Sequence, residues 1–191
     1  MNAIGLIEKY YTPGTEVYDI LTVHSRKVAD KALSIAKNHP ELGLDLTFLE
    51  EGALLHDIGI RFCNAPSIDC HGENPYICHG YLGADLLRQE GWPRHALVAE
   101  RHTGTGLSRS YIVANGLPLP LNRGYEPVSL EEQLICFADK FYSKTHPERE
   151  KTVEEIEASL TKWEDASLEK FRMWMATFYP ERQSPASPSR F

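Results

Sequence analysis

The stretch Ala53-Leu54-Leu55-His56-Asp57-Ile58-Gly59 decides how this chain is interpreted. An apolar helical run leads into a histidine and an aspartate, and the glycine that follows them is typical of a helix end. A charged aspartate at the buried end of a helix costs free energy unless it is paired or binds a metal ion. We therefore take His56 and Asp57 as the first candidate metal ligands.

Helical periodicity continues on both sides of this stretch. The apolar spacing predicts a helix over about residues 17–37 with His24 on its apolar face. Thr47 and Glu50 have the spacing of a capping box, so we predict that the next helix begins at Thr47. A predicted loop over 60–78 comes next, followed by a helix over 79–90 and a short helix from Pro93 to about His102. After an irregular segment over 103–128, we predict a helix that opens at the Ser129–Glu132 capping box and carries Asp139. The last predicted element is a long helix over 152–179.

These elements form a single all-α domain, because no internal repeat is present and strand-like alternation is scarce. We place this domain at residues 1–182. The remaining residues, 183–191, are rich in Ser and Pro, and we expect them to be disordered.

Composition excludes several classes of protein. The 191 residues are 42% hydrophobic and 25% charged, which excludes a wholly disordered chain. The net charge of −7 argues against a nucleic-acid polymer as partner, because its phosphates need a basic surface. No apolar run approaches the ~20 residues of a membrane span, so we expect a cytoplasmic protein with no membrane partner. A homodimer is left open.

Inward-facing or helix-terminal positions hold four candidate ligands, namely His24, His56, Asp57 and Asp139. Two imidazoles and two carboxylates suit Fe, Mn, Co, Ni or Zn better than a thiolate-preferring site would. His79 begins one predicted helix and His102 ends another. With a bridging Asp57 they would complete a second metal position, so we expect one or two divalent transition-metal ions.

This pattern of motifs resembles a known superfamily. His24, then Leu54-Leu55-His56-Asp57-Ile58-Gly59, then Phe137-Ala138-Asp139-Lys140 is similar to the HD-domain metal-dependent phosphohydrolases. The segments His79-Gly80-Tyr81-Leu82-Gly83 and Glu100-Arg101-His102-Thr103-Gly104 look like the additional histidines of its two-metal branches. The resemblance covers about residues 18–145, and its later segments are similar to a family of small, stand-alone, largely uncharacterised HD proteins.

The resemblance implies an HD-domain-like helical bundle with the metal ions in a central cleft. It also implies hydrolysis of a phosphate ester or anhydride of a nucleotide or another small phosphorylated metabolite, through a metal-activated hydroxide. Asp57, Arg61 and Lys140 are then the expected catalytic residues. Cationic side chains should bind the substrate phosphate, and the candidates are Arg61, Arg101, Arg109, Lys140 and Lys144.

One departure from the family pattern concerns the residue after the His-Asp-Ile-Gly motif. Many two-metal members have a lysine there, whereas this chain has Ile60 followed by Arg61. Whether Arg61 replaces that lysine is open at this point. The Gly-Tyr-Pro motif of the cyclic-dinucleotide branch is also absent from the sequence.

Several further expectations concern the surroundings of the site. We expect residues 103–128 to form one wall of the substrate pocket, with Tyr111 or Tyr125 available for base stacking. We assign the aromatic stripe of the last helix, which includes Trp163, to packing. We expect His95 to lie at a surface turn.

Alternatives remain for both the site and the function. Cys63, Cys70, His71, Cys78 and His79 form a loop cluster that offers a structural zinc site. The paired ligands of zinc knuckles lie only ~2–4 residues apart, which these spacings exceed. The alternative functions are a di-iron oxygenase of the HD type and a metal- or ligand-binding module without catalysis.

Overall fold

The computed structural model describes residues 2–146 and 149–180. The tail over residues 183–191 lies outside this part of the chain, so its predicted disorder stays a prediction. The described helices are α1 (Ala3–Tyr10), α2 (Glu16–Asn38), α3 (Leu46–Leu55), α4 (His79–Gln89), α5 (Pro93–Arg101), α6 (Arg109–Ala114), α7 (Leu130–Asp139), α8 (Val153–Leu160) and α9 (Asp165–Phe178). The predicted all-α fold class is confirmed, with a single short hairpin of β1 (Asn64–Ala65) and β2 (Cys70–His71) in the described residues.

Helix α3 lies between two apolar clusters. Ala53 packs in the cluster built mainly on α2, α7, α8 and α9. Leu54 and Leu55 pack in the other cluster, which includes residues of α1, α4 and α5. A helix that is apolar on most of its surface must be buried on more than one side. The His-Asp pair that follows Leu55 therefore emerges in the middle of the molecule.

Helix capping follows the sequence with one correction. Helix α3 begins at Leu46 rather than Thr47, because the Asp45 side chain accepts the hydrogen bond of the Phe48 amide at 3.0 Å. The capping carboxylate stands two residues before Thr47, the predicted cap, and satisfies an amide of the first turn. The predicted capping box of Thr152 and Glu155 is present at the start of α8.

The long helix predicted over 152–179 is wrong as a continuous element, because it divides into α8 and α9. Glu164, at the start of α9, accepts hydrogen bonds from the amide and the hydroxyl of Ser108 at 3.0 and 2.6 Å. This tertiary contact fixes the break. The sequence analysis also missed α1, the hairpin within 60–78 and α6 within 103–128.

Candidate metal centre

Five helices deliver the six predicted ligands to one buried region. His24 lies within α2, His56 and Asp57 follow α3, and His79 is the first residue of α4. His102 follows α5, and Asp139 is the last residue of α7. None of the six is more than 9% exposed. Helix ends suit this task, since a side chain there reaches a shared cavity without interrupting the helix.

The first group of donors consists of His24, His56, Asp57 and Asp139, all buried. Nε2 of His24 lies 3.2 Å from Oδ2 of Asp57 and 3.0 Å from Oδ1 of Asp139. Nε2 of His56 lies 3.0 Å and 3.5 Å from the same two oxygens. Two imidazole nitrogens and two carboxylate oxygens thus face one another in the interior.

The second group uses the other oxygen of Asp57. Oδ1 lies 3.5 Å from Nε2 of His79 and 3.3 Å from Nε2 of His102. Asp57, His79 and His102 are all buried and form a second cluster of potential metal ligands. Asp57 therefore presents one oxygen to each group, which is the arrangement of a bridging carboxylate.

Backbone carbonyls set the orientation of three of the imidazoles. In His56, His79 and His102, Nδ1 lies 2.6 to 2.8 Å from the carbonyl oxygen three residues earlier. A ring that donates its Nδ1–H in this way keeps a lone pair on Nε2, and such contacts are typical around metal-ligating histidines. The accepting carbonyls belong to Ala53, Tyr76 and Ala99.

The buried nitrogen and oxygen atoms of the centre are suited to binding a divalent cation rather than to hydrogen bonding with one another. Within the described residues, Nε2 of His56 and Oδ1 of Asp57 are buried and have no hydrogen-bond partner, whereas Oδ2 of Asp57 has an ion pair with Lys144. Buried polar atoms are normally satisfied, and an orphaned cluster of this kind needs an explanation. Because the orphaned atoms are the nitrogens and oxygens that borderline divalent metals prefer, the residues present fit such ions.

Electrostatics within the centre couples the imidazoles to the carboxylates. Burial disfavours a charged His56, but Asp57 and Asp139 outweigh it and raise the pKa of His56 to about 9, so a metal ion at Nε2 would have to displace a proton there. Burial and the nearby His102 lower the pKa of His79 to about 3, which keeps this ring neutral. Against the effect of burial, the cationic groups around Asp57, foremost His56 and Lys144, hold its pKa well below its usual range.

Two lysines reach the carboxylates from the outer side of the centre. Nζ of Lys144 lies 2.6 Å from Oδ2 of Asp57, and Nζ of Lys140 lies 2.9 Å from Oδ2 of Asp139. Burial acts to lower the pKa of both amines, but Asp57 for Lys144 and Asp139 for Lys140 raise them above their usual value. Both side chains are therefore ammonium ions at neutral pH.

Two adjoining cavities lead from the centre toward solvent. The smaller, about 300 Å³, is lined by the ligands His79, His102 and Asp139. The larger, about 380 Å³, reaches Lys151 and the residues beyond it. Both are lined by Tyr76, Gly104, Asp139, Lys140, Lys144 and Trp163. Volumes of this order accommodate small-molecule ligands, which occupy pockets of about 300–1,000 Å³.

Comparison with known proteins places the chain in a family. The family model described as the HD domain matches residues 22–143, which contain all six candidate ligands. This chain belongs to the HD domain family. HD domains bind divalent metals, in agreement with the two clusters described above.

Curated relatives extend beyond this HD domain. A tRNA (cytidine(56)-2'-O)-methyltransferase of Thermoplasma volcanium is 33% identical over 140 residues, which cover 73% of this chain and 36% of that protein. A second methyltransferase of the same name, from Picrophilus torridus, is 31% identical over 65% of this chain and 32% of its own length. An uncharacterized protein of Methanocaldococcus jannaschii is 34% identical over 60% of this chain and 66% of its own length. The chain thus spans about a third of the two methyltransferases and just under two thirds of the third relative.

Solved structures confirm the HD fold. Two crystal structures of the HD domain of the L. monocytogenes phosphodiesterase PgpH superpose with a TM-score of 0.50. They are 17% and 18% identical in sequence and cover 95% and 97% of this chain and 99% of their own. One of them is a complex with cyclic-di-AMP.

Among the predicted cations, three arginines of this HD domain lie elsewhere. Arg61 donates to the carbonyl of Tyr10 and lines a separate cavity. Arg101 pairs with Glu132 at 2.9 Å, and Arg109 donates to the carbonyl of Leu121. Each guanidinium interacts with an acceptor outside the metal centre, and none of the three arginines lines the two cavities at that centre. Their assignment to substrate is not supported by this geometry.

Other expectations about the surroundings of the HD centre are corrected by the structure. His95 is buried against Glu51 rather than placed at a surface turn. Tyr125 is buried and donates its hydroxyl to the Pro120 carbonyl, so it is not available for stacking. Of residues 103–128, only Thr103 and Gly104 line the two cavities.

The zinc-loop alternative finds no support in the described residues. The four cysteines are buried and free, and neither potential metal cluster includes a thiol. Sequence reasoning also missed Tyr76, Lys151 and Trp163 as cavity residues. None of the three had a local sequence signal, because the break between α8 and α9 that exposes Trp163 was not predicted.

Proposed function

We propose that this chain is a metal-dependent phosphohydrolase that cleaves a phosphate ester or anhydride of a nucleotide or another small phosphorylated metabolite. The observation that carries the proposal is that the two carboxylate oxygens of Asp57 face different pairs of histidines. One oxygen faces His24 and His56, and the other faces His79 and His102. A carboxylate shared in this way is typical of sites that hold two metals close together for hydrolysis.

Each residue at the centre has a distinct role in this proposal. His24, His56 and Asp139 would hold one divalent ion with Asp57, and His79 and His102 would hold the other with the same carboxylate. Bound ions of this kind lower the pKa of coordinated water to about 7 and stabilise the charge on phosphoryl oxygens. The buried carbonyl contacts of the imidazoles keep the donor atoms oriented before the substrate arrives.

The lysines supply the remaining positive charge. Lys140 and Lys144 are ammonium ions next to Asp139 and Asp57, and both line the cavities that a substrate would enter. In the proposed reaction the oxygen of water bonds to phosphorus, the bond from phosphorus to the leaving oxygen breaks, and the leaving group takes up a proton. The two ammonium groups bind phosphate oxygens and stabilise the charge that develops there.

The comparisons support the reaction class without identifying the substrate. Membership of the HD family and the fold shared with a phosphodiesterase domain both favour phosphate chemistry. The cyclic-di-AMP bound to that domain favours a nucleotide-like ligand for this chain as well. The activity named for the two methyltransferases belongs to proteins of which this chain covers about a third.

The other expectations from sequence remain proposals. No helix in the described residues combines the length and apolarity needed to cross a membrane. The net charge of −7 favours a small substrate over a nucleic-acid polymer, and a cytoplasmic location and a homodimer stay predictions.

The first test is metal analysis of the chain purified without chelator. We expect about two divalent ions per chain for the wild type and a loss of both, with loss of activity, for Asp57→Ala. Asp85→Asn is a suitable control, because Asp85 pairs with Arg123 outside the centre. Full metal content in Asp57→Ala would refute the assigned ligands.

The second test is a screen of the metal-reconstituted chain against nucleotides, dinucleoside polyphosphates and sugar phosphates, followed by release of inorganic phosphate or of a nucleotide. We expect turnover that is equal with and without oxygen and that stops on chelation. Turnover that requires oxygen would favour the oxygenase alternative. An absence of turnover in a fully loaded protein would favour a binding module.

A further inference from the structure

We propose that Trp163 determines substrate specificity at this centre, and that its indole stacks on a planar ring carried by the phosphorylated substrate. This inference rests on the proposed phosphohydrolase function and narrows it to ring-bearing phosphate compounds, of which nucleoside phosphates are the representative class. It assigns a role to a segment that lies beyond residues 22–143, the part matched by the HD family model.

The position of Trp163 depends on the break between α8 and α9. Its amide donates to the carbonyl of Leu160 at 3.0 Å, which closes the end of α8. In an uninterrupted helix Trp163 would continue the apolar stripe between Leu160 and Phe171, both of which are buried. Because the chain turns at this point, the indole is only half-buried and lines both cavities of the metal centre.

The indole is held against the backbone close to a metal ligand. A Cβ atom built on Gly104 would lie 3.7 Å from Cδ2 and from Cε3 of Trp163, so the six-membered part of the indole lies over this glycine. Gly104 stands two residues after His102 and has a φ of +62°, which favours glycine. The aromatic surface is therefore fixed relative to the second donor group, and little conformational entropy is lost when a ring stacks on it.

The same cavity offers both parts of the required chemistry. Lys140, Lys144 and Lys151 line the larger cavity together with Trp163, so cationic groups and an aromatic surface face a single space of about 380 Å³. Phosphate oxygens pair with the ammonium groups, while the indole binds a planar ring through its face. Stacking between bases and aromatic side chains is strong and tolerant of the identity of the base.

Neighbouring tyrosines are less suited to this task. Tyr76 also lines the cavity, but its ring already stacks on His79 with 4.6 Å between centroids and 22° between planes. The ring centroid of Tyr111 lies 6.3 Å from that of Trp163, and Tyr111 lines neither cavity. Tyr142 lines only the larger cavity, and its hydroxyl donates to Glu150 at 3.1 Å. Among the described residues, Trp163 is thus the aromatic residue that lines both cavities without being stacked on a predicted ligand.

The experiment compares adenosine 5'-monophosphate with ribose 5-phosphate, which share the sugar and the phosphate and differ in the base. Binding is measured by calorimetry on the full chain loaded with Mn²⁺. We expect the wild type to bind adenosine 5'-monophosphate about tenfold or more tightly than ribose 5-phosphate. Trp163→Leu should weaken binding of the nucleotide by roughly 5-fold to 150-fold, with less than a twofold change for ribose 5-phosphate, and Trp163→Phe should lose only part of the preference.

Tryptophan fluorescence gives a second readout that does not depend on turnover. Adenosine 5'-monophosphate should quench emission in the wild type and in Trp174→Phe, but not in Trp163→Phe. Trp174 is the matched control, because it is buried in the core and donates to Gln133 at 3.1 Å. If Trp163→Leu does not fold, the wild-type comparison of the two probes and the Trp163→Phe measurements still decide the matter.

The outcomes separate the two proposals. Equal binding of both probes by the wild type, or an unchanged preference in Trp163→Leu, overturns the role of Trp163 and leaves phosphate binding intact. If neither probe nor inorganic phosphate binds the Mn²⁺-loaded chain, the phosphohydrolase proposal fails and the inference fails with it.

Discussion

Nε2 of His79 lies 3.0 Å from Nε2 of His102, although Nδ1 of each ring is within hydrogen-bond distance of a backbone carbonyl. When both Nδ1–H groups donate to those carbonyls, both Nε2 atoms present lone pairs to each other. Two lone pairs at this distance repel, and Asp57 approaches the same space with a third acceptor at 3.3 to 3.5 Å. Asp57, His79 and His102 would be relieved of this conflict by a divalent cation bound among them.

Removal of one of these imidazoles should reduce the metal content by half. In His79→Gln the second donor group keeps only Asp57 and His102, while the first group keeps all four donors. We expect about one ion per chain by elemental analysis, against about two in the wild type. His95→Gln is the matched control, since His95 is also buried but faces Glu51. Two ions per chain in His79→Gln would contradict the second site.

Chelation should destabilise the wild type, because it leaves buried carboxylates and imidazoles without their shared cation. A ligand that binds only the folded state stabilises it by about 2.7 kcal/mol when present at 100 times its Kd. We expect Tm to fall on addition of EDTA and to recover when Mn²⁺ is restored in excess. Asp57→Ala should show no shift with EDTA; an equal shift in this variant would mean that the chelator acts at another site.

Gly59→Ala should disrupt the centre by displacing α4. A Cβ atom at Gly59 would lie 2.1 Å from the carbonyl oxygen of His79 and 2.4 Å from the amide nitrogen of Gly83. These are backbone atoms that cannot turn aside, so we expect a loss of more than about 3 kcal/mol, beyond the usual cost of overpacking. Gly124→Ala is the control, because a Cβ there meets nothing within 4 Å. Equal Tm values for the two variants would contradict the close approach.

The candidate ligands could be predicted from the sequence because each stands at a position that a local pattern marks. His56 and Asp57 end an apolar run, His79 and His102 stand at helix ends, and the structure brings them together. The resemblance to HD proteins supplied the pairing of segments about 80 residues apart, which periodicity alone does not provide. Local patterns therefore predicted the helical class of the fold and named the candidate ligands, which the structure brings together in two clusters.

The substrate side of the centre was harder to predict, because it depends on tertiary contacts. Arg61 was a reasonable substitute for the missing lysine by sequence position, but its guanidinium lies against the ring of Tyr11 and bonds to the backbone of Tyr10. The break before α9 depends on a bond between Glu164 and Ser108, which are far apart in the sequence. No local sequence pattern predicts such a contact. The sequence analysis therefore assigned Trp163 to packing of the last helix.

Alkylation should show that the cysteines are structural. Burial raises the pKa of Cys63 and Cys136 to about 12 and that of Cys70 to about 11. A thiol with a raised pKa remains protonated below that pKa, so at pH 8 only a very small fraction of Cys63 is the reactive thiolate. We expect slow reaction with iodoacetamide in the native state and rapid reaction of all four cysteines in guanidinium. Cys63→Ala should retain its metal; loss of metal in this variant would revive the zinc-loop alternative.

Lys144 should take the role that sequence position suggested for Arg61. The Lys144 ammonium lies 2.6 Å from Oδ2 of Asp57 and lines both cavities, whereas Arg61 lines neither of them. Loss of one preorganised positive group at a developing anionic charge costs about 100-fold or more in kcat. We therefore expect Lys144→Met to lose about 100-fold in kcat/KM on any substrate found by the screen. Lys144→Arg should recover part of this kcat/KM. Arg61→Gln should keep a kcat/KM within about threefold of the wild type.

Metal content and Tm distinguish this role of Lys144 from a purely structural one. Asp57 retains His24, His56, His79 and His102 as neighbours when Lys144 is replaced, so we expect Lys144→Met to keep its full complement of metal. A loss of metal that parallels the loss of activity would show that the ammonium group supports Asp57 rather than the phosphate. If Arg61→Gln instead lost activity with unchanged Tm and metal content, the substrate would approach from the side of Tyr10 and Tyr11, and the cavities beside Lys144 would not be the binding site.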